Sequence, residues 1–154
     1  MQEIITGILN NYIIQVAFAS WLTAQVLKTL INFALTKSFK PERLVGAGGM
    51  PSSHTALVVS LVIATANQCG VESTEFALAA ALAAIVMYDA MGVRRAAGEQ
   101  AKIVNQLVDD WLDRTNWSNK NMPQVKQLKE MLGHTPLEVI GGIIVGVVVS
   151  AIFI

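Results

Sequence analysis

The sequence predicts an all-α integral membrane protein, a four-helix bundle with an amphipathic helix and a short helix on its cytoplasmic face. Three observations carry this expectation. The 154-residue chain is 53% hydrophobic and only 14% charged, with mean hydropathy +0.51, against roughly 25% charged residues in an ordinary soluble domain. Four apolar stretches each approach the roughly 20 residues that a spanning helix needs. When these are threaded in alternation, the basic residues collect at one end. The length suits one domain, a single membrane domain over residues 1–154.

The first span is expected at about residues 11–35, interrupted only by Lys28. The second covers 52–69 and carries no acid or base except His54. The third covers 74–92, with Glu75 at its start and Asp89 near its end. The fourth covers 136–154, with Glu138 in its first turn. A soluble helical bundle is the competing fold, but the fourth stretch offers water no polar face. Between 94 and 114 the pattern changes. Ala97, Val104, Leu107, Val108 and Trp111 recur at helical spacing among Glu99, Lys102, Asp109 and Asp110. That is an amphipathic helix, lying on the membrane face or capping the bundle. A polar loop at 116–123 and a short helix at 124–132 then lead to His134.

Threading fixes where the polar groups go. The first span ends near Lys37, Lys40 and Arg43, and the second begins on that side at His54. The third returns there at Asp89, Arg94 and Arg95, and the fourth leaves from His134 and Glu138. The opposite face holds Glu3, Glu72 and Glu75 as its only acids or bases. All 11 Lys and Arg lie on the clustered side or, for Lys28, in the half-span leading to it. The positive-inside rule makes that side cytoplasmic, so an integral protein of the cell membrane with its site on the cytoplasmic face is expected. Net charge is zero, which gives no reason to expect a nucleic-acid partner. The single Cys69 excludes an intramolecular disulfide. Met1-Gln2-Glu3 lacks the basic region of a signal peptide.

The chain has two histidines, and both open apolar runs on the clustered side. Imidazole suits nucleophilic and acid–base work near neutral pH, and helix starts favour anions. In Gly48-Gly49-Met50-Pro51-Ser52-Ser53-His54 the glycines let backbone approach a phosphate, and Ser52 and Ser53 offer hydroxyl donors. The same stretch also reads as a loop with a serine cap. His134 and Glu138 share a helix face, so Glu138 can orient the imidazole. Thr135-Pro136-Leu137-Glu138 is equally a capping box with Pro at the first helical position. Arg94 and Arg95 offer bidentate phosphate recognition beside Asp89, or anchor the helix at the membrane surface with Asp89 as ion partner. Lys28 either snorkels to the interface or points inward to a bound anion. No metal-ligand spacing is present, and neither metal nor other cofactor is expected.

Pro51-Ser52-Ser53-His54, followed by His134-Thr135-Pro136-Leu137-Glu138, resembles the type 2 phosphatidic acid phosphatases, relatives of acid phosphatases and vanadium haloperoxidases. That signature has a Lys and Arg-Pro motif, a P-S-G-H motif, and an Arg motif ending in H-x-x-x-D. Here Ser53 stands for the Gly and Glu138 for the acid; Leu128 stands where the Arg is expected, and Lys40-Pro41-Glu42-Arg43 only echoes Arg-Pro. Gly48-Gly49-Met50-Pro51-Ser52-Ser53-His54, Tyr88-Asp89-Ala90-Met91-Gly92-Val93-Arg94-Arg95, Gly98-Glu99-Gln100-Ala101 and Leu132-Gly133-His134 make nearly the whole chain similar to the divergent branch of that superfamily. The resemblance implies a lipid-phosphate phosphatase acting on a phosphomonoester or diphosphate. His134 is its nucleophile, Glu138 the orienting acid and His54 the leaving-group acid. Lys28, Arg43, Ser52, Ser53, Arg94 and Arg95 are the implied phosphate ligands, supported by Asp89, Gly48 and Gly49. The implied partners are the membrane and a lipid phosphate, with homo-oligomers left open. The alternative is a scaffold that binds anionic lipid in the same pocket without turnover.

Overall fold

A computed structural model describes residues 1–37, 49–115, 127–128, 130 and 132–154. Among the described residues all regular structure is helical: α1 (Gln2–Leu9), α2 (Tyr12–Thr36), α3 (Ser53–Cys69), α4 (Thr74–Met91), α5 (Val93–Thr115) and α6 (Pro136–Phe153). Side-chain oxygens set four of the starts. Asn11 accepts from the Ile14 amide, Ser52 from Thr55, Ser73 from Phe76 and Thr135 from Glu138. Each such cap is worth about 1 kcal/mol. Lys37, in left-handed geometry, closes α2, and Gly92 breaks the chain between α4 and α5.

Among the described residues, three helices are long and apolar enough to cross a membrane: α2, the stretch Thr74–Trp111 that contains α4, and α6. The central helix is α3, which packs against α2, α4 and α6, while α2 also touches α6. Small residues make this packing close. A Cβ placed on Gly142 of α6 would stand 2.5 Å from the Ser52 carbonyl, and one on Gly146 would stand 2.9 Å from the Ala56 carbonyl. The interior is built from Ala17, Ala24, Ala56, Ala64, Ala79 and Ala83, whereas Phe18, Leu30, Leu78, Ile85 and Ile144 face outward. Large apolar side chains outside and small ones at helix contacts are the pattern of packing in lipid, where burial of bulk gives no hydrophobic gain.

Polar side chains tie the helices at intervals. Ser20 of α2 donates to the Ala56 carbonyl of α3 at 3.0 Å. Asn67 near the end of α3 donates to the Tyr12 hydroxyl at 3.4 Å, so α2 and α3 run antiparallel.

Two features differ from the sequence expectation. Residues 2–9 form a helix of their own, separated from α2 by Asn10 and the Asn11 cap. The short helix expected at 124–132 is absent at the described positions 127, 128, 130 and 132. The reason is Asn105, buried on α5. Its amide accepts from the Leu128 N–H and donates to the Leu128 carbonyl, both at 2.9 Å, so both backbone groups are held outside a helix. The expected loop at 116–123 lies outside the described residues.

Candidate active site

Two backbone hydrogen bonds bring three helix ends together. The Ser52 N–H, at the start of α3, donates to the Glu138 carbonyl in α6 at 3.0 Å. The His134 N–H, just before α6, donates to the Ala90 carbonyl near the end of α4 at 2.9 Å. Gly133 makes the second contact feasible. Its φ is +80°, and a Cβ there would meet the Arg95 backbone nitrogen at 2.4 Å. Only glycine lets this segment lie flat on the first turn of α5.

Between these ends lies a cavity of about 110 Å³, lined by His54, Val86, Asp89, Ala90, Arg94, Gly133 and His134. Thus both histidines, 80 positions apart by subtraction of their numbers, wall one pocket. His54 is solvent-exposed, whereas His134 is 5% exposed. Arg94 reaches the pocket from α5 and forms an ion pair with Asp89, which shares the wall.

Glu138 makes both of the contacts its sequence position allows. Its Oε2 lies 3.1 Å from His134 Nδ1 and also accepts the Thr135 N–H at 2.9 Å. The capping box is complete, with Thr135 Oγ1 accepting from the Glu138 N–H. A carboxylate partner favours the proton on Nδ1 and so leaves the Nε2 lone pair free to react. Burial pushes the His134 imidazole below its ordinary value of 6.5, Lys28 and Arg94 act in the same direction, and the Glu138 hydrogen bond and charge oppose them. The buried ring is therefore held neutral at pH 7.

Lys28 is buried within the bundle and does not line the cavity. It is 2% exposed on the buried face of α2 and does not snorkel. Its charge bears on both His54 and His134, as does that of Arg94. Arg95 lies on the other side of the His134 segment. It pairs with Glu99 at 3.1 Å and lines a shallower cavity with Gly49, Gly133, His134 and Glu138. The two adjacent arginines are thus divided between two cavities. Ser52 is fully buried, with its hydroxyl at 2.9 Å from Thr55 Oγ1, and serves as the α3 cap away from the pocket wall. Ser53 is 1% exposed and does not line the cavity. Arg43 and Gly48 lie outside the described residues.

Sequence reasoning overlooked Ala90, whose carbonyl carries His134, and Asn105, whose amide holds the segment before it. Asn105 was findable as a polar residue in register with the apolar face of α5. Ala90 offered no signal, because its contribution is a backbone carbonyl.

The arrangement is one neutral imidazole fixed by a carboxylate, a second imidazole across a small pocket, and two cations beside them. The model of the Divergent PAP2 family matches residues 9–149. The chain belongs to that family. It is also similar to the uncharacterized membrane protein YuiD of Bacillus subtilis (strain 168), 38% identical over 151 residues, which are 94% of this chain and 95% of that protein. No solved structure matches it. As a Divergent PAP2 protein with helices of spanning length, the chain is a membrane protein.

Proposed function

We propose that this protein is a membrane lipid-phosphate phosphatase that hydrolyses a phosphomonoester or diphosphate through a phosphohistidine. The observation that carries the reading is the pocket walled by both His54 and His134, with His134 Nδ1 held by Glu138. His134 Nε2 attacks phosphorus, forming the N–P bond as the P–O bond to the leaving alkoxide breaks. His54, whose protonated form is favoured by the negative charge of a bound phosphate beside it, gives its proton to that alkoxide. Neutral His54 then takes a proton from water, whose oxygen attacks phosphorus. The N–P bond breaks, inorganic phosphate leaves and His54 is again protonated. Arg94 and Lys28 offset charge on the phosphoryl oxygens, with Arg43 as a further ligand; Arg95, Ser52 and Ser53 stand off the pocket wall and take no part in this step.

In this reading α2, α3, α4 and α6 form a four-span bundle making one membrane domain, and α5 lies on the cytoplasmic face with the site. The substrate is then a lipid phosphate of the cytoplasmic leaflet of the cell membrane, such as phosphatidic acid, phosphatidylglycerophosphate or an isoprenoid diphosphate. The test is phosphate release from a panel of lipid phosphates in detergent, with and without EDTA. His134→Ala should abolish release. His54→Ala should slow alkoxide esters by about 10²–10⁴-fold and nitrophenyl phosphate far less, since nitrophenolate leaves without a proton. Anion binding with no release from any lipid phosphate would replace this reading with a non-catalytic lipid-binding scaffold.

A further inference from the structure

The break at Gly92 leaves a second concavity against the outer side of the histidine pocket. It is lined by Ala84, Ile85, Tyr88, Asp89 and Val93, four of α4 and one of α5, and it shares Asp89 with the pocket. Its wall is apolar except for Asp89 and the Tyr88 hydroxyl. Ile85 is 66% exposed, Tyr88 77% and Val93 68%. Beyond the groove the outer face of α4 stays apolar. Tyr88, Ile85, Leu82 and Leu78 all face outward at helical spacing, forming one apolar row down α4, opposite the buried Ala79, Ala83 and Ala90. From Asp89 to Leu78 this row spans about 16 Å at the rise of an α-helix. Half the hydrocarbon core of a bilayer is about 15 Å.

From this continuity we infer that the groove is the hydrocarbon subsite of the active-site pocket. A lipid phosphate lays one chain along Tyr88, Ile85, Leu82 and Leu78 while its phosphate passes Asp89 and Arg94 to the histidines. The inference rests on the proposed site and adds the side from which substrate enters: laterally, over α4, from the leaflet on the site's own face. Two observations argue for a chain of the substrate here over an unrelated lipid. The groove and the pocket have a common wall in Asp89, so head and tail are joined without a gap. The row also has the depth of one leaflet, so the chain stays in hydrocarbon while its phosphate reaches the helix ends. Asp89 is paired with Arg94 at the junction, which offsets its charge where the phosphate passes.

The test uses the full-length protein in nanodiscs with phosphatidic acid carrying a diazirine near the carbonyl end of one acyl chain. After photolysis, mass spectrometry should find adducts between residues 84 and 93. Unlabelled phosphatidic acid should remove them, and phosphatidylcholine with the same chains should not. Ile85→Trp, which fills the groove from an exposed position, should cut labelling at least five-fold. It should also lower lipid-phosphate hydrolysis relative to nitrophenyl phosphate hydrolysis about ten-fold. Adducts scattered over the outward faces of α2, α4 and α6, or adducts equally removed by phosphatidylcholine, overturn the groove. Phosphate release is measured on the same samples. Competed labelling without release keeps the groove and sinks the hydrolase. Release without labelling at 84–93 sinks the groove and keeps the hydrolase.

Discussion

His134 and Glu138 show one carboxylate oxygen serving a helix cap and an imidazole together. The Thr135 N–H would otherwise be one of the unsatisfied donors at the start of α6. The same oxygen sets the tautomer of the ring above it, so local folding and chemistry are not separable by deleting the side chain. Glu138→Ala should destabilise α6 by about 1 kcal/mol and also free the His134 ring. Glu138→Gln retains an acceptor but loses the charge. That charge and its hydrogen bond raise the His134 pKa against burial, so their loss should move the titration further to acid. In NMR of ring-labelled histidine, His134 should titrate below pH 6.5 in the wild type and lower still in Glu138→Gln. A wild-type midpoint above 6.5 would contradict the neutral nucleophile. Sequence spacing alone left the cap and the orienting acid as rivals, because both need Glu138 four residues after His134. Only coordinates show one oxygen reaching both partners.

The helices themselves were legible as elements. The apolar runs expected from residues 11, 52, 74 and 136 begin within one residue of α2, α3, α4 and α6, and α5 follows its amphipathic period. Two elements were not legible, for different reasons. Residues 2–9 are too short for apolar periodicity to separate them from the run that follows. The helix expected at 124–132 rests on that stretch's own pattern, but at the described positions 127, 128, 130 and 132 a distant side chain decides the outcome. Asn105 takes both backbone groups of Leu128, and its amide also donates to Glu130 at 2.9 Å. The segment lies so close on α5 that a Cβ on Gly98 would stand 2.6 Å from the Glu130 carbonyl. Asn105→Ala would remove these bonds at a cost of about 1–3 kcal/mol. The loss should be local. Hydrogen exchange should rise at 128–134 while α3 keeps its protection. Gly133→Ala should do more harm to the site, since its Cβ has no room against Arg95 and must lift His134 from Ala90. Equal exchange in wild type and Asn105→Ala would show that the clip does not hold the segment.

At the scale of the molecule, α3 and α6 both begin at the pocket, and α4 and α2 bring Asp89 and Lys28 towards it. The expected threading of apolar runs puts these ends on one face, and in the structure His54, Asp89, Arg94 and His134 wall one pocket. It could not tell that Arg94 and Arg95 face different cavities, because that depends on the rotation of α5 after the Gly92 break. The proposed side of the membrane rests on charge. Lys37, Arg94, Arg95, Lys102 and Arg114 all belong to the pocket end, while Glu72 and Glu75 lie at the other end of α4. A surplus of Lys and Arg in short connections retains them in the cytoplasm. Lys102 is exposed on α5, and Glu72 is exposed in the turn between α3 and α4. In a Cys69→Ala background, Glu72→Cys should react with a membrane-impermeant maleimide on intact cells. Lys102→Cys should react only after permeabilisation. The reverse pattern would turn the protein over, move the pocket to the outer leaflet, and replace the proposed substrates with lipids whose phosphates are presented from outside.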